Sequence, residues 1–415
     1  MTDRPNLRID GPRLWDSLMQ MAAIGATPKG GCNRLTLTDL DRQARDLFAG
    51  WCEAAGCTVG VDAMGNMFAR RPGSDPSLPP VLMGSHLDTQ PTGGKFDGPL
   101  GVLGALEVVR TLNDLGIRTR HPVEVVNWTN EEGSRFAPAM LSSGVFAGIY
   151  DRDWAFALTD DDGLTLGGEL QRIGYQGPEA VGGRPVRAYF ELHIEQGPIL
   201  EDEGCDVGVV THGQGQCWYE ITLTGFESHA GSTPMPRRRD ALLGAARIVE
   251  AVNRIALAHP PLAMATVGLI RSEPNSRNVI PGHVFMTAEI RHPDAATLAA
   301  MDGELRDAVA TAAQKGGLEV ALKQIFDSPP VPFDAACVAA VRGAAERLGY
   351  RHRDIVAGAG HDACNMARIA PAAMIFTPCV DGISHNEAES ISPAWATAGT
   401  DVLLQAVVET AGIAD

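Results

Sequence analysis

No stretch of this sequence strings together the ~18–20 apolar residues that a bilayer-crossing helix needs, so no membrane partner is expected. The opening segment, MTDRPNLRIDGPRLWDSLMQ, is charged and lacks the apolar centre of a signal peptide. No CxxC pair occurs among the eight cysteines, Cys32, Cys52, Cys57, Cys205, Cys217, Cys337, Cys364 and Cys379. Scattered thiols in a long chain point to a reduced, cytoplasmic protein, and any metal is expected on ligands other than thiolate. Basic charge is in deficit: 34 Lys and Arg face 51 Asp and Glu, for a net charge of −17. That balance argues against nucleic acid or an anionic membrane surface. A small anionic substrate remains compatible, because a few arginines can dominate one pocket. There is no internal repeat and no low-complexity run.

What is present is an ordinary globular composition, 45% apolar and 20% charged, in 415 residues, enough for roughly two domains. Apolar spacing predicts helices over 11–25 and 38–55. VLMGSH (81–86) reads as a buried strand ending on a His, and GVLGALEVVRTL (101–112) as the next helix. VEVVNW (123–128) is a second buried strand that runs into Asn130-Glu131-Glu132, and VRAYFELHIEQG (186–197) alternates up to His193. Strands alternating with helices predict an α/β sheet, whose ligands sit beyond the carboxyl ends of the strands. Near residue 210 the texture changes. WYEITLTG (218–225) alternates as a half-exposed strand, followed by a helix at 239–257, strands near 263–271 and 283–291, and a helix at 294–315. This β-α-β-β-α order predicts a small inserted α+β domain with an antiparallel sheet. The Pro-rich DSPPVPF (327–333) is expected to be the linker back.

Five potential ligands fall at or just past strand ends: His86, Asp97 in the turn GGKFDGPLG, Glu132, His193, and His385 in DGISHNEAES. Imidazole and carboxylate suit Zn²⁺, Mn²⁺, Co²⁺ or Ni²⁺. A carboxylate can bridge two ions roughly 3.5–4 Å apart, and Asp97 is the natural bridge, leaving two ligands for each ion. Asp88 is placed to accept the second ring N–H of His86. Glu131, beside Glu132, is the candidate general base. Taken singly these signals are weak. A His at a strand end is more often a satisfied core residue, and an EE pair is more often a solvated face.

The longer blocks are more specific. VLMGSHLDTQPTGGKFDGPLGVLGALEV, VVNWTNEEGSRFAPAMLSSGVFAG, ELHIEQGPILE, GFESHAGSTPMPRRRDAL, NSRNVIPG and GISHNEAES, in this order along nearly the whole chain, resemble the hydantoinase/carbamoylase family of metal-dependent amidases. That family belongs to the aminoacylase-like dinuclear metallohydrolases. The resemblance implies a catalytic domain (1–212 and 330–415) with a mixed sheet, interrupted by a smaller α+β lid or dimerisation domain (213–329). It implies two divalent ions per subunit, zinc first among the candidates, on His86, Asp97, Glu132, His193 and His385, with Glu131 as base. A His at 193 is typical of the family, where many more distant relatives carry a carboxylate. His229 in SHAGSTPM matches a residue that reaches the substrate across a homodimer. Gln216, Asn278 and Arg291 match positions around a substrate carboxylate, and a guanidinium fork suits that role. Gln196 and Gly360, within AGAGHDA (357–363), are expected to line the pocket, with His361 a further possible contact. The implied activity is hydrolysis of the ureido C–N bond of N-carbamoyl-L-amino acids or N-carbamoyl-β-alanine. Allantoate hydrolysis is the alternative, followed by cleavage of an acyl-amino acid, and more remotely a non-catalytic binding protein on the same fold.

Overall fold

The computed structural model describes residues 6–414. The first five residues of the charged N-terminal segment lie outside the described residues. The chain divides into two compact units, Met1–Thr211 with Pro332–Asp415, and His212–Val331.

The larger unit opens with helix α1 (Gly11–Ala23), whose N-cap Asp10 accepts from the Arg13 backbone. Helix α2 (Asp39–Ala54) is capped by Thr38 and carries Asp39 and Asp41 in its first turn, where carboxylates complement the helix dipole. Six strands follow: β1 (Thr58–Val61), β2 (Met67–Arg71), β3 (Val81–His86), β4 (Val123–Trp128), β5 (Ala188–Ile194) and β6 (Val207–Gly213). The sheet order is β1-β2-β4-β3-β5, then the strand Ala372–Thr377, then β6. Pairings β3/β4, β3/β5 and β5 with Ala372–Thr377 are parallel, whereas the flanking pairings are antiparallel. The mixed α/β sheet agrees with the sequence reading. Strands β3, β4 and β5 are buried along their whole length, which explains why β3 and β4 read as near-continuous apolar runs. Helix α3 (Pro99–Asp114) packs against all three and is apolar almost all round. Because β3, β4 and β5 are parallel, their carboxyl ends open on the same side of the sheet. Short helices at Leu141–Phe146, Arg152–Phe156 and Leu166–Ile173 fill a stretch that periodicity left unassigned, being too short to show a 3.6-residue repeat.

The inserted unit contains a four-stranded antiparallel sheet of β7 (Gly215–Thr224), β8 (Met264–Glu273), β9 (His283–His292) and β10 (Glu319–Ser328), in the order β10-β7-β9-β8. Helices α4 (Ala241–Ala258) and α5 (Ala295–Gly316) cover one face. Tyr219, Ile221 and Leu223 meet Ile248, Val252, Met301 and Leu305 there. Strand β10 was not assigned in the sequence reading, although the insertion does end within the expected stretch 327–333. Its alternation is masked by Lys323, Gln324 and Asp327, and by a register shift between Gln324 and Phe326. The order is therefore β-α-β-β-α-β, and the compact unit spans His212–Val331.

One buried ion pair braces the end of β4. Arg45 on α2 is nearly inaccessible and donates to Asp41 Oδ2 at 2.9 Å, Gly65 O at 2.7 Å and Thr129 Oγ1 at 3.2 Å. Thr129 lies two residues before Glu131. Arg45→Met strands a buried carboxylate and should cost about 3–5 kcal/mol of stability, whereas the double replacement Asp41→Asn/Arg45→Met should cost less. Urea unfolding of the three proteins checks this. Equal losses in the single and double variants would show that pairing is not what the site needs.

Candidate metal centre and active site

The carboxyl ends of β3, β4 and β5 bring the five expected ligands together. His86 ends β3, His193 lies one residue from the end of β5, and Glu132 follows β4 after a turn in which Asn130 adopts φ 60°. Asp97 sits just before α3, whose N-terminal dipole favours a carboxylate there. His385 comes from the loop after Ala372–Thr377, also at positive φ. The ligand atoms form two groups, each within 4.8 Å: His86, Asp97 and His193, and Asp97, Glu132 and His385. Asp97 is common to both. Its Oδ1 lies 3.0 Å from His193 Nε2 and its Oδ2 lies 3.2 Å from His385 Nε2. His385 Nε2 is also 3.4 Å from Glu132 Oε2.

This donor set fits divalent cations. His86 Nδ1 is 2.8 Å from the Asp88 carbonyl, and His193 Nδ1 is 2.9 Å from the Ile194 carbonyl. A carbonyl only accepts, so each Nδ1 carries hydrogen and each Nε2 is the atom turned to the cluster. His193 Nε2 is buried, and its approach to Asp97 is close in distance but too poorly aligned to count as a hydrogen bond. A cation between these atoms would satisfy both. Gly98 is required for the fit. It has φ 84°, and a Cβ there would lie 2.4 Å from the His86 ring.

The expected role of Asp88 needs correction. Its carboxylate is 3.8 Å from His86 Nδ1, too far for a hydrogen bond. The carbonyl of the same residue holds the ring. The Asp88 carboxylate instead accepts the backbone N–H groups of Glu131 and Glu132, each at 3.3 Å. The Asp88 side chain thus orients the two acidic residues, while its backbone carbonyl orients the imidazole.

Glu131 Oε2 is 3.5 Å from His86 Nε2, so the expected base lies against the cluster. Burial, then the nearby carboxylates of Asp362, Glu132, Asp88 and Asp97, push its carboxyl well above the usual range. Burial and Asp97 likewise raise Glu132, to about 8. Asp97 behaves oppositely. Burial works against its charge, but His193 and His385 outweigh that and hold it well below the usual range. Burial lowers His86 to about 4. His193 rises to about 9 because Asp97 outweighs burial, and His385 rises to about 9 chiefly through Asp97.

Gln196, expected in the pocket, has φ 59° and donates from Nε2 to Asp97 Oδ2 at 3.0 Å. Gly360 packs against the Met140 thioether. The ring of His361 lies 4.4 Å from that of His193, and its Nε2 is buried without a partner. Sequence reasoning missed three carboxyl groups near the cluster. Glu191 accepts from Ser85 Oγ at 2.7 Å and from Ala363 N at 2.8 Å. It shares a strand face with His193, two residues on, and that alternation was a usable signal. Asp362 is fully buried, with no signal beyond its neighbour His361. Glu389 follows His385 by four residues in one loop.

The remaining expected residues lie in the inserted unit. Gln216 and Arg291 are directly opposite each other on β7 and β9, on the face that α4 and α5 leave uncovered. Glu289 Oε2 accepts from Arg291 at 2.8 Å, and Gln216 Oε1 accepts from the Trp218 indole at 3.2 Å. The short strands Ser228–His229 and Val279–Ile280 pair, which brings His229 beside Asn278, whose carbonyl accepts from Ala230 N at 2.9 Å. His229 Nδ1 accepts from Gly231 N at 3.0 Å and Ser232 N at 3.1 Å. The neutral ring therefore carries its hydrogen on Nε2.

The profile of peptidase family M20/M25/M40 matches residues 82–409. An N-carbamoyl-L-amino-acid amidohydrolase of Rhizobium meliloti is 56% identical, with 99% of both chains covered. The ureidoglycolate hydrolase of Arabidopsis thaliana is 34% identical, covering 96% of this chain and 86% of its own. The crystal structure of a hydantoinase/carbamoylase family amidase from Burkholderia multivorans superposes with a TM-score of 0.95 at 64% identity, covering 98% of this chain and 99% of its own.

Metal uptake should be coupled to proton release. His193 and His385 are protonated in the metal-free protein below about pH 9, and a ligand imidazole must be neutral at Nε2. At pH 7.5, adding Zn²⁺ to the demetallated protein should therefore release protons from these two rings and from the Glu132 carboxyl, itself raised to about 8, up to about three in all. Affinity should fall as pH falls below about 9. Calorimetry in buffers of different ionisation enthalpy measures the count. Uptake with no proton release would refute the paired imidazolium arrangement.

Proposed function

The chain belongs to peptidase family M20/M25/M40 and, within it, to the hydantoinase/carbamoylase amidases, and from that premise we propose that it hydrolyses N-carbamoyl-L-amino acids. The observation that carries this reading is the sharing of Asp97 between two ligand groups, with Glu131 buried against them. His86 and His193 would hold one divalent ion with Asp97. Glu132 and His385 would hold the second, zinc being the first candidate and Mn²⁺, Co²⁺ and Ni²⁺ sharing the same ligand types. When bound, such a pair supplies Lewis acidity to the substrate carbonyl and to a water molecule.

The chain's own groups do the rest. Glu131 takes the proton of the attacking water and delivers it to the departing nitrogen. Asp88 keeps Glu131 in place by accepting its backbone N–H. The reaction R–NH–CO–NH₂ + H₂O yields R–NH₂, NH₃ and CO₂, through a carbamic acid that decomposes. His229, with hydrogen on Nε2, donates to the carbonyl oxygen as charge develops there. Arg291, with Gln216 opposite it and Asn278 beside His229, binds the substrate carboxylate. Glu289 accepts a hydrogen bond from the guanidinium.

We assign the working form to a homodimer in which His229 of each copy serves the other's site. Two features support this. Among the described residues, β8 pairs along one edge only, and a ten-residue open edge invites a second copy. Met264 and Ile270 on β8, with Leu242, Leu243 and Leu257 on α4, are exposed. No described helix is long and apolar enough to cross a membrane. The eight cysteines are free thiols, in keeping with a cytoplasmic setting.

A carbamoyl amino acid is the preferred substrate because a curated relative at 56% identity is an N-carbamoyl-L-amino-acid amidohydrolase, whereas the ureidoglycolate hydrolase is only 34% identical. Ammonia release should be measured with several N-carbamoyl-L-amino acids, N-carbamoyl-β-alanine and allantoate side by side. The carbamoyl amino acids should give the highest kcat/KM, and a clear preference for allantoate would overturn the assignment. In the same assay Glu131→Gln should lower kcat by at least about 10²–10⁴-fold while metal content stays at the wild-type level. Full turnover in that variant would remove Glu131 as the base.

A further inference from the structure

Behind Asp97 lies a hydrogen-bond arrangement that the ligand set does not account for. Glu389 is buried, and its Oε1 accepts from Phe96 N at 2.9 Å and Asp97 N at 3.1 Å. Its Oε2 accepts from Ser384 Oγ at 3.1 Å. The same Ser384 Oγ lies 3.1 Å from Asp97 Oδ2, and Gln196 Nε2 approaches both Ser384 Oγ, at 3.1 Å, and Asp97 Oδ2, at 3.0 Å. The carboxylate therefore ties together the loop bearing Asp97 and the loop bearing His385, the two loops that meet in the Asp97, Glu132 and His385 group. Space is reserved for it. A Cβ on Gly94 would fall 2.0 Å from the Glu389 carboxylate.

A serine hydroxyl has one hydrogen, and here two carboxylate oxygens compete for it. The two arrangements are mutually exclusive. With no cation at Asp97 Oδ2, the hydroxyl can donate to that oxygen. With a cation there, the hydroxyl can turn to Glu389 Oε2, leaving the Asp97 lone pairs to the ion. We infer that Glu389 and Ser384 are positioning residues that form a switchable donor relay, tuning the affinity of the ion bound by Asp97, Glu132 and His385. The inference rests on the two-ion reading above.

Glu389→Gln tests it. The amide oxygen can keep the Phe96 and Asp97 N–H groups while its NH₂ faces Ser384. An NH₂ donates, so it would occupy the serine lone pairs and drive the hydroxyl hydrogen onto Asp97 Oδ2, against the cation. Demetallated wild type, Glu389→Gln, Ser384→Ala and the double variant are each titrated with Co²⁺, following absorption and stoichiometry, with thermal unfolding as a check on folding. The expected result is a loss of roughly 10- to 100-fold in affinity for one of two ions in Glu389→Gln, the other ion unaffected. In the Ser384→Ala background the same replacement should have little further effect, because the competing hydroxyl is gone. Equal weakening of both ions, or an undiminished effect of Glu389→Gln without Ser384, would overturn the relay. Wild-type protein that takes up a single ion would instead refute the two-ion reading.

Discussion

Asp97 places two oxygens between two imidazoles, and the site is arranged around that one carboxylate. Oδ1 faces His193 and Oδ2 faces His385, so a single side chain belongs to both ligand groups. Each surrounding feature controls where those oxygens lie. The start of α3 follows immediately, Gly98 lets the helix pass the His86 ring, and Glu389 grips the Asp97 backbone from behind. A shift of the Asp97 loop would disturb both groups together, which is why so many polar contacts converge on it.

The electrostatics follow from the same crowding. Asp88, Asp97, Glu131, Glu132, Glu191, Asp362 and Glu389 are all buried or nearly so around the carboxyl ends of three parallel strands. Without cations, burial and mutual repulsion raise Glu131, Glu132 and Glu389, and the imidazoles of His193 and His385 take up protons to answer Asp97. Bound divalent ions would substitute for those protons. The fold tolerates the concentration of acid because most of these carboxylates accept hydrogen bonds from backbone or side-chain donors, as Asp88 does from Glu131 and Glu132.

The inserted unit follows a different logic. Its sheet buries one face under α4 and α5 and presents Gln216, Trp218, Glu289 and Arg291 on the other. Backbone pairing sets their order, and local hydrogen bonds set their chemistry. The two N–H groups that fall on His229 Nδ1 determine which ring nitrogen can donate. A sequence shows that a histidine is present but not which tautomer its neighbours select.

Much was legible from the residues alone, for reasons that differ by element. The buried strands β3 and β4 were readable because strands covered on both faces require unbroken apolar runs, and α4 and α5 because long amphipathic helices repeat their pattern several times. Strand β10 and the short helices between 141 and 173 were not, because charged residues and short length erase periodicity. The ligand types, and the placement of His86, Glu132 and His193 at strand ends, were written in the chain. What tertiary structure alone decided was which atom of each residue does the work. The Asp88 carbonyl, not its carboxylate, holds His86, and Glu389, distant in sequence from Asp97, fixes the Asp97 loop. Residue identity specifies which groups are available, but hydrogen bonds have range and direction of a few ångströms, and only the folded chain brings residues 97 and 389 within that reach.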